Sequence, residues 1–262
     1  MVNNKRKKFF TLVGVAALTY FLYKKMKTPS GSGGAGSNSD GSGTAPYDQQ
    51  KSENLRLLNA AMKDAGISNR YARTAIMAVV GKESNFIPKF EKCYNNTSNF
   101  RIRKIFPSRL GGLTDAQLNA LKADCVAFFN AVYGGKYGNA ANEGYKYRGS
   151  GYNQLTFKGS YQKIGNLIGV DLISNPDYNN NPVVAAKSMV AFMLDRANSD
   201  TGKAKLRAGG FNSINDINNI DFAVRYFANA NAGFGNGWTS DKVNSAVEKS
   251  NPYLSKVYFY SF

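Results

Sequence analysis

Arg70-Tyr71-Ala72-Arg73-Thr74-Ala75-Ile76-Met77-Ala78-Val79-Val80-Gly81-Lys82-Glu83 decides the reading of this chain. Ala72, Ala75, Ile76, Val79 and Val80 recur at the three- and four-residue spacing of an α-helix. The apolar face runs directly into Gly81, Lys82 and Glu83, so a carboxylate stands where the helix is about to end. Val79 and Val80 are placed to partly desolvate it, as a general acid at neutral pH requires.

The same periodicity extends to both sides. Asn54 to Ala65 carries Leu55, Leu58 and Met62 at helical spacing, with Gly66 where a C-cap is expected. Thr114-Asp115-Ala116-Gln117 has the capping-box form ahead of Leu118, Leu121, Cys125, Phe128 and Phe129. Asn181-Pro182 opens a helix over VVAAKSMVAFML, and Asp221 to Phe227 forms a further short one. The expected fold class is mainly α, one helical domain over residues 47–262.

Two segments precede it. Phe9 to Tyr23 reads FFTLVGVAALTYFLY without a charge, between Lys5, Arg6, Lys7 and Lys8 on one side and Lys24, Lys25 and Lys27 on the other. As a helix it would rise about 22 Å at 1.5 Å per residue, short of the roughly 30 Å hydrocarbon core. Snorkelling lysines and interfacial aromatics close that gap. No small-x-small cleavage site adjoins the run, so an uncleaved transmembrane anchor over residues 1–28 is preferred to a signal peptide. Residues 29–46 are dominated by Gly and Ser, the composition of a flexible linker with a reach of roughly 20 to 25 Å. A tethered domain suits a large, fixed substrate.

Composition restricts the chemistry. The 262 residues include no histidine, which excludes His-based triads, Cys-His peptidases and His-ligated zinc hydrolases. Carboxylates lead for acid-base work. Cys93 and Cys125 are too few for a four-cysteine metal site, and two thiols or one disulfide are equally open. No metal or cofactor is expected; the glycine-rich runs lack the lysine and context of a phosphate-binding loop. The net charge is +17. The first 27 residues supply only seven of the 34 basic side chains, so the body is itself basic. An anionic wall polymer or a membrane surface attracts such a chain as nucleic acid would. The basic residues after position 46 are scattered rather than massed, and nucleic acid is not the expected partner.

Eight residues beyond Glu83, across Asn85 and Pro88, stands Glu91. Two carboxylates facing across a groove are what glycoside hydrolysis needs: one protonates the leaving oxygen, the other activates water or attacks the sugar. On spacing alone, the stronger reading of Glu91 is a loop carboxylate paired with Lys89 or Lys92.

Further along come Tyr145-Lys146-Tyr147-Arg148-Gly149-Ser150-Gly151-Tyr152-Asn153-Gln154-Leu155-Thr156, then Tyr161, then Gly169-Val170-Asp171-Leu172 and Asn175-Pro176-Asp177. This resembles the signature of glycoside hydrolase family 19, the chitinases and related phage endolysins, with its YRGRGxxQLT, Tyr and GVDLxxNPD elements. Ile105-Phe106-Pro107 and Val132-Tyr133-Gly134-Gly135-Lys136-Tyr137-Gly138-Asn139 are similar to the endolysin branch. The resemblance spans roughly Ala75 to Leu194 and implies a lysozyme-like helical fold.

It implies Glu83 as general acid, Glu91 as general base and Thr156 as the hydroxyl positioning the attacking water. Gln154 would contact sugar, Arg148 would organise the carboxylates, and Tyr147 and Tyr152 would shape the cleft floor, with Asn153 and Tyr161 also on the substrate side. Inversion would follow, with carboxyls roughly 6.5 to 9.5 Å apart. Lys82, Ser150 and Ser160 stand where the family has His, Arg and Asn. The implied substrate is peptidoglycan or a chitin-like glycan, reached from a cellular or virion membrane with the domain facing the wall.

Glu83-Ser84-Asn85-Phe86-Ile87-Pro88 is also similar to the motif around the single catalytic Glu of lytic transglycosylases, which need no second carboxylate. A third reading is a wall-binding protein that kept the fold and lost its activity. Retention of both Glu83 and Glu91 speaks against it.

Overall fold

The computed structural model describes residues 46–234 together with Asp241, Asn244, Val247 and Glu248. The segment expected to be an anchor and the Gly/Ser stretch up to residue 45 lie outside the described residues. Among the described residues, no helix is long and apolar enough to cross a membrane.

The described chain is mainly helical, as its periodicity predicts. Helices α1 (Pro46–Asp64), α2 (Arg70–Ser84), α3 (Asn99–Ile105), α4 (Pro107–Leu110), α5 (Asp115–Ala123) and α6 (Cys125–Tyr133) come first. Then follow α7 (Lys158–Ile168), a 3-10 turn (Pro176–Asn180), α8 (Pro182–Asn198), α9 (Asp200–Ala208), a second 3-10 turn (Ile214–Asp216) and α10 (Ile220–Asn231). Among the described residues the extended pairing is one antiparallel bridge, Ser150 with Leu155.

The main core gathers around α2, which packs along α10. Every apolar position of α2 singled out by spacing is buried, from Ala72 to Val80. Leu55, Leu58 and Met62 of α1 and Met189 and Met193 of α8 join them. A second, smaller core is aromatic: Phe128, Phe129 and Val132 of α6 with Ile102, Leu110 and Leu118, and with Tyr94, Phe106 and Tyr133 against it. A third cluster joins Tyr147 and Leu155 to Tyr161 and Ile164 of α7 and to Leu172.

Local chemistry accounts for the helix limits. Thr114 and Gln117 form the capping box expected at the start of α5. Asn181 accepts from the Val183 and Val184 N–H groups ahead of α8, with Pro182 at its first turn. Asn85 adopts the left-handed conformation (φ 52°) and donates its N–H to Gly81 O, which stops α2 one residue after Glu83.

Two expectations are corrected and one open alternative is resolved. The apolar run after Thr114 is not one helix: Asp124 interrupts it with extended backbone and caps α6 through Val126 N and Ala127 N. A good N-cap residue wins over continued periodicity there. Helix α1 begins at Pro46, eight residues before the first strongly periodic position, and α10 runs four residues past Phe227. Both extensions are polar or small-residue turns that hydrophobic spacing cannot register. Of the two readings for the cysteines, the disulfide holds: Cys93 and Cys125 are bonded, with Cα atoms 5.5 Å apart.

Candidate active site

Glu83 sits in the last turn of α2, its side chain 27 % exposed and paired with Lys82 Nζ. Val79 and Val80 beneath it are buried. After Asn85, Phe86 also takes a positive φ, 62°. The Phe86 carbonyl accepts a 2.7 Å bond from the buried Asn54 Nδ2 of α1, which ties the turn to the main core. The chain is thereby directed away from α2 toward Glu91.

Glu91 is held at both main chain and side chain. Its N–H donates to Gly149 O at 2.7 Å, and Gly149 N–H lies 3.4 Å from its Oε2. The Tyr94 hydroxyl donates to Oε1 at 2.8 Å, and the Tyr133 hydroxyl lies 3.0 Å from both oxygens. Its described partners are all donors, the arrangement an acceptor carboxylate requires. Neither Lys89 nor Lys92 is among them. Burial first, and the negative charge of Glu91 second, push both tyrosine hydroxyls well above the usual phenol range.

The Gly149–Thr156 loop closes around this carboxylate. A Cβ at Gly149 would lie 3.0 Å from Gln154 Oε1 and 3.2 Å from Glu91 Oε2, so only a glycine leaves the two side chains undisturbed. Gln154 takes φ 53° and spends its amide N–H groups on the carbonyls of Lys89 and Gly151. Its oxygen is thereby turned toward Gly149 and Glu91. Thr156 donates its hydroxyl to Gln154 O at 2.8 Å. Asn153 keeps both amide atoms buried without a hydrogen-bond partner among the described residues, an arrangement that in a folded protein calls for a partner from outside.

The remaining residues implied by the resemblance sit deeper. The Arg148 guanidinium lies 3.9 Å from the ring centroids of both Phe90 and Tyr145 and donates to Tyr145 O. Its described contacts include neither glutamate, so any influence on the pair passes through the loop that Phe90 and Tyr145 frame. Tyr147, Tyr152 and Tyr161 are buried. Tyr147 donates to Ile173 O, and the Tyr161 hydroxyl lies 2.5 Å from Ser150 Oγ and 2.8 Å from Arg148 O. They hold the loop from beneath. Ser150 is itself buried and also accepts from Asn179 Nδ2, so this position is an interior hydrogen-bond node rather than a charge facing the cleft.

Tyr94 and Tyr133 are the site residues that sequence reasoning did not assign. Tyr94 stands three residues from Glu91; Tyr133 lies within the motif already quoted, but its distance along the chain gave no sign of the contact. The disulfide joins both: Cys93 neighbours Tyr94, and Cys125 opens the helix that ends at Tyr133. Among the described residues, no group of three or more Cys, Asp or Glu side chains could hold a metal ion.

The described fold thus presents one carboxylate at a helix end and a second on a tyrosine-clamped loop, the residue type that glycoside hydrolysis uses in pairs. Residues 130–226 match the family model described as chitinase class I of glycoside hydrolase family 19. A Haemophilus influenzae protein named as a glycosyl hydrolase family 19 domain-containing protein is 27% identical over 171 residues, covering 62% of this chain and 82% of that protein. Residues 130–226 are thus similar to a glycoside hydrolase family 19 domain, and the two matches together indicate a glycoside hydrolase. The matched stretch holds the Gly149–Thr156 loop and Tyr133, whereas Glu83 and Glu91 precede it.

Proposed function

We propose that this enzyme cleaves the β-1,4 glycosidic bonds of peptidoglycan, with Glu83 as general acid and Glu91 as general base, and with inversion at the sugar carbon. The clamp on Glu91 carries the reading: an oriented acceptor carboxylate held by Tyr94, Tyr133 and Gly149 is suited to binding a water and taking its proton. Glu83, reached by solvent and backed by buried valines, is placed to protonate the leaving oxygen. Thr156 is proposed to offer its oxygen lone pairs to the water. The mainly helical architecture agrees with a lysozyme-like fold.

The net charge of +17 favours an anionic wall polymer over neutral chitin. Phe9 to Tyr23, flanked by lysines, supports a membrane anchor from which the linker lets the domain reach the wall.

Digesting peptidoglycan and chitin side by side, with mass spectrometry of the products, tests substrate and mechanism together. Peptidoglycan fragments ending in ordinary reducing sugars are expected. Anhydro-muramyl ends as the main product would replace the hydrolytic mechanism with a transglycosylase one. Phase partitioning of the full-length chain, compared with one lacking residues 1–28, tests the anchor: only the full chain should need detergent.

A further inference from the structure

Tyr137 is the most exposed large aromatic among the described residues, at 74 %. Its ring meets Phe157 edge-on, centroids 4.7 Å apart, and Phe157 meets Tyr133 edge-on at 5.3 Å. Tyr133 is the residue whose hydroxyl holds Glu91. Three rings thus lead stepwise from the candidate base to solvent.

The backbone works against conformational preference to keep them there. Tyr137 has φ 45° and Phe157 has φ 75°. Bulky residues rarely adopt the left-handed region, and such outliers persist only where the surroundings over-determine them. The surroundings here do so. Gly159 N–H donates to Tyr137 O at 3.1 Å and Phe157 N–H to Tyr147 O at 2.9 Å. The buried Asn139 accepts from Lys158 N at 2.7 Å while donating to Tyr133 O, and Lys158 Nζ pairs with Glu143 at 2.9 Å. Residues 137–143 are thereby stitched to residues 157–159, and the exposed ring is fixed before anything binds it.

A rigid aromatic face on a segment that also carries the Lys158–Glu143 ion pair suits a ligand with an apolar face and polar edges. A pyranose ring has both, its C–H bonds facing the aromatic ring and its hydroxyls and acetamido group lying at the edges. One exposed ring matches the footprint of one sugar and is far too small for a protein interface, which buries on the order of 800 Å² per partner. We propose that Tyr137, braced by Phe157, is a stacking platform for one pyranose unit of the glycan chain on the Glu91 side of the cleft. This deepens the glycan-cleaving reading and rests on it.

The test uses the full-length Glu83→Gln protein, which binds without cleaving, titrated calorimetrically with an N-acetylglucosamine oligosaccharide and a soluble peptidoglycan glycan fragment. Adding Tyr137→Ala should weaken binding on the order of tenfold, the scale of one lost aromatic contact together with its buried area. Alanine meets the same left-handed backbone demand, so the comparison isolates the ring. Tyr137→Phe should bind like the parent, as should Phe100→Ala, which removes another exposed ring, 67 % accessible and on α3. Unchanged affinity in Tyr137→Ala overturns the platform and leaves the glycan-cleaving reading standing. A parent that binds neither glycan overturns both.

Discussion

The hydroxyl of Tyr133 reaches both carboxylate oxygens of Glu91, 3.0 Å from each, across 42 residues of sequence. Tyr133 ends a helix packed in the aromatic core, so the orientation of the candidate base is set by buried ring packing as well as by its own loop. Tyr133→Phe keeps the ring and removes the hydroxyl. A hydrogen bond to a charged group contributes about 1.5–3 kcal/mol, so turnover should fall about ten- to a hundredfold with little change in melting temperature. Wild-type turnover would remove Tyr133 from the list of positioning residues.

The two tyrosines of the clamp also set a pH expectation. Both hydroxyls titrate above their ordinary value of 10.0, through burial and then the charge of Glu91. A raised value in the folded state gives stability that is complete below the ordinary value and declines as pH climbs above it toward the folded one. Melting temperature should therefore hold steady, as far as these two groups are concerned, up to about pH 10 and then drop. The Tyr94→Phe/Tyr133→Phe double variant should show a shallower alkaline decline in the same scan.

Glu83→Gln should reduce cleavage by a factor of about 10² to 10⁴ or more. It keeps size and most hydrogen-bonding capacity, and α2 below it is unaltered. Circular dichroism melts should overlay those of the wild type. Residual turnover near the wild-type rate would rule Glu83 out as the acid.

Gly149→Ala probes the close approach at the loop. The added methyl group would stand 3.2 Å from Glu91 Oε2, so the carboxylate or Gln154 must give by a few tenths of an ångström. Misplacement near the reacting centre is expensive in rate and cheap in stability. Turnover should drop about tenfold or more while the unfolding midpoint moves little; the reverse pattern would show that Gly149 serves folding alone.

Reducing the disulfide should destabilise the domain by about 3–4 kcal/mol on the chain-entropy scale for a 32-residue separation. Denaturant titration with and without reductant measures it. Cys93 is exposed and Cys125 partly so, which puts the bond within reach of a soluble thiol. Because the bond flanks Tyr94 and anchors the start of α6, activity should fall at reductant levels that leave most helical signal intact.

Much of the helical frame was legible because it is written in local chemistry. The stripe from Ala72 to Val80 became the centre of the main core, and Thr114 and Asn181 cap the helices they announce. Helices whose signals are mixed escaped: α3 and α9 are short and rich in Arg and Lys, and α7 starts from Phe157 without a side-chain cap. Asp124 looked like one more polar residue in an amphipathic run until its caps to Val126 and Ala127 showed a break. For the site, Glu83 and Glu91 could be named from residue type and resemblance. The Tyr133 clamp could not, since contact across 42 residues depends on how α6 packs. Tyr147, Tyr152 and Tyr161 could be quoted from the motif, but their burial beneath the loop depends on packing that the motif does not display.

Glu83 and Glu91 belong to different cores. The helix that presents Glu83 is embedded in the large aliphatic cluster, while the donors that hold Glu91 are set in the smaller aromatic one. The placement of one carboxylate relative to the other therefore depends on how these two clusters of side chains seat against each other as well as on the stiffness of either. On the proposed mechanism, a substitution deep in either core should shift that placement and change turnover without touching Glu83 or Glu91.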